Sequence, residues 1–155
     1  MGWYGIDLVL HLMGDHITKV FAKYNNYTTP DSPFMDCGRM IMELGRGGTA
    51  TFDMVFCNRM DYPSWQLEII GPRGVISIHR TESNSTIAVV TLDRPDGHST
   101  LPLPEATPHW EMFWVDEFLQ WQACSVSAEY AKQVTYISLA ARESARSGRG
   151  IILSS

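Results

Sequence analysis

Three polar side chains near the start of the chain have the types and spacing that chemistry needs: Tyr4, Asp7 and His11. Ile6, Leu8, Val9, Leu10, Leu12 and Met13 make the stretch strongly apolar, and it predicts a helix from about Tyr4 to Met13. Residues three and four apart are neighbours on a helix, so Asp7 and His11 stand one turn apart. A carboxylate and an imidazole so placed can share a proton with a bound hydroxyl. Plainer readings stand beside this one. Asp7 is then a helix N-terminal carboxylate favoured by the dipole. His11 is a partly buried residue bonded to a backbone carbonyl, and Trp3 and Tyr4 are packing groups. Late in the chain, Trp110, Phe113, Trp114, Phe118 and Trp121 recur at helical spacing. Such a stripe resembles a sugar-stacking platform, but at this period it reads as core. His109 and Trp110, at the helix start after a Pro-rich loop, are the candidate substrate-binding exceptions.

Other chemistries lack their residues. The three cysteines, Cys37, Cys57 and Cys124, form no C-x-x-C pair and read as reduced, partly buried thiols. The five histidines show no metal-ligand spacing such as H-E-x-x-H, so no metal site is expected. There is no G-x-S-x-G or P-loop. Gly45-Arg46-Gly47-Gly48-Thr49-Ala50 approaches a dinucleotide fingerprint, which requires a strand before it and a helix after it. Here a strand pattern follows, so the glycines read as a hairpin turn and no cofactor-binding residue is assigned.

The elements that must position these groups follow from periodicity. Gly14-Asp15 ends the first helix. Ile17 to Tyr24, Arg39 to Leu44 and Thr49 to Cys57 alternate as strands. In the third of these, Ala50, Phe52, Met54 and Phe56 should face the helices. Trp65 to Ile70, Val75 to His79 and Thr86 to Leu92 are further strands, and Asp93 to Pro108 reads as a long Pro-rich connection. Thr107-Pro108 opens a helix reaching Trp121. Ser125 or Ser127 caps a last helix, Ser147-Gly148-Arg149-Gly150 stops it, and Ile151-Ile152-Leu153 is a short strand. This order predicts an α+β fold, an open, mostly antiparallel sheet with helices packed on one face. The other face is then solvated or meets a partner. Its Trp65, Leu67 and Ile69 suggest a homo-oligomer, a dimer or higher, formed through it.

Bulk properties set the frame. The chain has 155 residues, enough for one domain with a real core. Net charge is −5 without a block of Lys or Arg, which argues against nucleic acid and anionic membranes. No apolar run approaches the ~20 residues of a membrane span. No basic region or cleavage signal stands at the start, so a cytoplasmic location is expected. The first helix begins without a lead-in, as if cut from a longer protein.

Several segments together resemble the C-terminal domain of the Gfo/Idh/MocA oxidoreductases. Asp7 to Gly14 is similar to the family's helix ending in D-x-x-x-x-L-x-G, and Gly48-Thr49-Ala50-Thr51-Phe52 to its G-x-x-x-x-F strand. Glu68 to Gly74 is similar to E-I-x-G-x-x-G, and Ala141 to Arg149 to the closing A-x-E-S-A-R-S-G-R. These segments lie in the family's order along nearly the whole chain. The resemblance implies a substrate-binding and oligomerisation domain whose full-length parent also has a Rossmann domain for NAD or NADP. It implies hydride transfer between nicotinamide and a sugar-like or cyclitol hydroxyl. In the family, a D-x-x-x-H-x-x-D constellation on this helix carries the proton. Registered on Leu12-Met13-Gly14, Asp7 takes the final Asp, Tyr4 stands where the His would be, and the first Asp would precede Met1. The alternative registration uses Asp7 and His11 as D-x-x-x-H. The family's cofactor-side Lys, in an E-K-P motif, is absent, so this chain alone is expected to bind no dinucleotide and to be catalytically incomplete. The competing readings are a stand-alone, non-enzymatic module that binds a ligand or protein, and a regulatory paralogue with a decayed site.

Overall fold

The computed structural model describes residues 3–28, 30–55, 66–80, 88–103, 115, 117, 119, 120 and 127–154. The chain divides into two compact units, residues 1–57 with 116–155, and residues 58–115.

The first unit begins with α1 (Trp3–Met13), β1 (Ile17–Asn25), β2 (Cys37–Leu44) and β3 (Thr49–Val55). It ends with α2 (Ala128–Ser147) and β8 (Ile151–Ile152). The sheet runs β3-β2-β1-β8, and every pairing is antiparallel. Alternation builds the core as expected: Met40, Met42 and Leu44 are buried from β2, while Arg39, Ile41 and Glu43 face outward. A register shift between Ile17 and Lys19 lets Ile17 and Val20 both point inward although three apart. Ile6 and Leu10 of α1 and Val134, Ile137 and Ala141 of α2 complete that core. Gly5 is required where α1 crosses β3, since a Cβ there would come within 2.4 Å of the Phe52 ring.

The ends of α2 are fixed chemically. Ser127 caps it, its hydroxyl accepting from the Tyr130 backbone N–H at 3.1 Å. Gly148 closes it in the left-handed region, φ 68°, with its N–H donating to the Ser144 carbonyl. Ser144 is fully buried; its Oγ accepts from Ala22 N–H at 2.9 Å and donates to the Arg149 carbonyl at 2.6 Å. The E-S-A-R-S-G-R stretch is thus a structural device. Glu143 and Arg146 form a two-point surface ion pair.

The second unit is a meander of β4 (Gln66–Gly71), β5 (Gly74–Arg80), β6 (Ala88–Arg94) and β7 (Gly97–Leu101), in that order. Leu67, Ile69, Ile76, Ile78, Val90 and Leu92 fall in register on one face, and Glu68, Ser77, Thr91 and Thr100 on the other. At the β4–β5 turn, a Cβ on Gly74 (φ 149°) would lie 2.2 Å from the Asp93 carbonyl oxygen, so only glycine fits.

The class is therefore α+β with open antiparallel sheets, as predicted. Its strands fall into two four-stranded sheets, a division the sequence pattern did not reveal. One expectation is corrected: the supposed connection after Asp93 contains β7. Gly97-His98-Ser99-Thr100-Leu101 holds one apolar residue, so its strand character rests on pairing with β6 and not on alternation. The helix assigned to His109–Trp121 lies mostly outside the described residues; Val115, Glu117 and Leu119 are helical.

Candidate functional site

Tyr4, Asp7 and His11 share one side of α1, as their spacing requires. The structure separates them chemically. Tyr4 is 61% and Trp3 46% exposed, and their rings stack on each other, centroids 3.7 Å apart. The pair packs on itself and not into the core, because the buried stripe of α1 runs through Gly5, Ile6 and Leu10. His11 is exposed, without a hydrogen-bond partner among the described residues; the carbonyl bond expected for it is not formed.

Asp7 is half-buried, and its partner is not His11. The Tyr130 hydroxyl donates to Asp7 Oδ1 at 2.6 Å and lies 3.3 Å from the Asp7 carbonyl oxygen. Burial, reinforced by this bond and by the nearby carboxylate charge, pushes the Tyr130 phenol up to about 12. Tyr130 therefore stays a neutral donor across the physiological range. Its placement follows from the Ser127 cap, which holds its backbone, and from ring packing against the core. In sequence, Tyr130 recurs at helical spacing with Val134, Ile137 and Ala141, which marks it as a packing residue. No spacing rule links residues 123 apart, and only the crossing of α1 with α2 brings them together.

The far end of α1 opens into a shallow groove lined by Leu10, Gly14, Asp15, His16, Tyr130 and Gln133. Asp15 accepts from the backbone N–H groups of Arg46 (2.8 Å) and His16 (2.9 Å). The Arg46 bond chiefly holds its carboxyl below the usual carboxylate range. The Arg46 guanidinium donates to the carbonyls of Met13 and Gly14, capping α1. The glycine-rich segment Gly45–Ala50 is accordingly the β2–β3 hairpin turn docked on the end of α1. Gly45 lies flat under the His16 ring, and β3 follows. Its geometry does not fit a dinucleotide, since no helix N-terminus stands there to receive a pyrophosphate.

Among the described residues, no group of three or more His, Cys, Asp or Glu could hold a metal ion. His109 and Trp110, and with them Cys57 and Cys124, lie outside the described residues; Cys37 is buried in β2. No described helix is long and apolar enough to cross a membrane.

Residues 1–77 match the family described as GFO/IDH/MocA C-terminal domain, and the chain belongs to that family. No curated protein matches the sequence. Among solved structures, a Thermotoga maritima protein superposes with a TM-score of 0.82 at 21% identity, covering 98% of this chain and 45% of that one. An Agrobacterium radiobacter oxidoreductase, solved with NAD+, L-tartaric acid and magnesium, gives 0.78 at 18% identity over 98% of this chain and 47% of its own. The aldose-aldose oxidoreductase of Caulobacter crescentus, complexed with glycerol, gives 0.79 at 16% over 98% and 46%. The chain thus spans about half the length of the structures it resembles.

Proposed function

We propose that this chain is the substrate-binding and oligomerisation half of an NAD(P)-dependent oxidoreductase acting on a sugar-like or cyclitol hydroxyl. The observation that carries the reading is Asp7, a half-buried carboxylate one turn from the exposed phenol of Tyr4. A carboxylate accepts a hydrogen bond from a substrate hydroxyl, and a phenol one turn away relays its proton to solvent. His11, exposed on the same side, is the alternative relay. Two of the similar structures hold small polyhydroxylated molecules, L-tartaric acid and glycerol, which supports a polyol substrate. NAD or NADP, which would accept or supply hydride, is placed by this proposal on the Rossmann domain that the family resemblance implies. The Gly45 turn, followed by β3, offers it no helix N-terminus.

The oligomer contact was expected on the face of Trp65, Leu67 and Ile69, of which Trp65 lies outside the described residues; we place it instead on the outer face of the first sheet. Phe21 (40% exposed), Ile41 (37%) and Ile152 (78%) stand there, beside the Lys19–Glu43 and Arg39–Asp53 ion pairs. An apolar centre with a charged rim is the usual anatomy of an interface.

Two experiments test this reading. The coding sequence upstream of Met1 should contain an in-frame strand, G-x-G-x-x-G and helix; a stop codon directly upstream would sink the proposal. In the complete protein, Asp7→Asn should cut polyol-dependent reduction of NAD(P) by roughly a hundredfold or more. The second reading, a decayed regulatory paralogue, is favoured by Tyr4 at the expected His position and requires that no polyol be turned over at all.

A further inference from the structure

We infer that Tyr130 is a positioning residue: from the first turn of α2 its hydroxyl fixes one oxygen of Asp7 and leaves the other directed to a substrate hydroxyl. The inference rests on the proposed placement of Asp7 in the substrate pocket and adds what holds Asp7 there.

Three observations carry it. The 2.6 Å bond from Tyr130 to Oδ1 is short, as bonds to an ionised acceptor are. The same hydroxyl lies 3.3 Å from the Asp7 carbonyl oxygen, so one donor addresses both the side chain and the backbone of that residue. Asp7 Oδ2 has no partner among the described residues, although the carboxylate is half-buried. A carboxylate bonded through one oxygen is restrained in rotation, and its remaining lone pairs are biased toward one direction. Orientation of this kind contributes to turnover without the orienting group touching the substrate. The supporting chain is continuous: the Ser127 hydroxyl holds the Tyr130 backbone, core packing holds its ring, and its hydroxyl holds Asp7. Tyr130 titrates far above neutrality, so it neither takes nor gives the reacting proton.

The bond itself is tested on this chain by alkaline titration followed through tyrosinate absorbance and the Tyr130 ring carbon resonance. One tyrosine should titrate near 12, vanish in Tyr130→Phe, and titrate lower in Asp7→Asn. An unmoved Tyr130 titration in Asp7→Asn overturns the inference. The positioning role is tested in the complete oxidoreductase. Tyr130→Phe keeps the packed ring and removes only the donor. It should lower kcat roughly tenfold or more while leaving KM for the dinucleotide unchanged, and it should displace the pH profile of kcat. If Asp7→Asn abolishes turnover but Tyr130→Phe leaves kcat and its pH profile intact, the positioning inference fails alone. If Asp7→Asn itself retains full turnover, the proposed function of the site fails, and the inference with it. A melting temperature of Tyr130→Phe close to that of the parent chain separates either result from unfolding.

Discussion

At Ser144 a single hydroxyl bonds two backbone groups, the Ala22 N–H and the Arg149 carbonyl. Ser144→Ala removes both bonds and leaves the Ala22 N–H without this partner in a buried place. The expected cost is about 1–3 kcal/mol, read from the urea midpoint. Gly5→Ala should destabilise as well, since the added methyl would collide with Phe52. Titration makes a separate prediction. The folded pKa of Tyr130 is raised from 10.0 to about 12, and burial also raises that of Tyr24. A raised value means the native state holds its proton longer than the unfolded chain. The associated stability is complete below pH 10 and is lost as pH rises toward 12; Tyr130→Phe should flatten this alkaline decline. Asp15 and Glu143 are lowered, so their contributions are present above the ordinary carboxylate pKa and fade as acid carries the solution through the folded values. Asp15→Asn should therefore reduce the acid sensitivity of the melting temperature.

Among elements, α2 is secured at both ends, and each end offers a test. Ser127→Ala should cost about 1 kcal/mol by freeing the Tyr130 N–H. Gly148→Ala should cost a similar amount, about 1 kcal/mol, because φ 68° strains any residue with a Cβ. Element-scale order was also the most legible in sequence. Alternation of Met40, Met42 and Leu44 gave β2 its inward face, and Gly45-Arg46-Gly47-Gly48 gave the hairpin turn. Val134, Ile137 and Ala141 recur at helical spacing and form the buried stripe of α2, and the capping serine is one of the two named from sequence. β7 escaped because a polar strand has no periodic signature until its partner is known. The bulge at Thr18 escaped because a local register shift follows from pairing with β2.

For the whole molecule, legibility falls with sequence separation. Asp7 was identifiable as a candidate from its own helix, whereas Tyr130 acquires its role only through a tertiary crossing. The aromatic pair at Trp3 and Tyr4 packs ring on ring, and the rotation of the helix keeps both outside the core. The two units also differ in solidity. The buried core residues all belong to the first unit, and none of the described residues of residues 58–115 is fully buried. Hydrogen exchange should accordingly find the slowest amides in β1, β2 and α2 and faster exchange in β4 to β7.

The two-residue β8 covers the flank of β1 at Lys19 and Val20, and just beyond it the Ser144 hydroxyl claims the Ala22 amide. A foreign β-segment approaching β1 here meets groups at Lys19, Val20 and Ala22 that are already engaged. Strand addition to this stretch of β1 is thereby opposed by a stub of backbone and one side-chain oxygen.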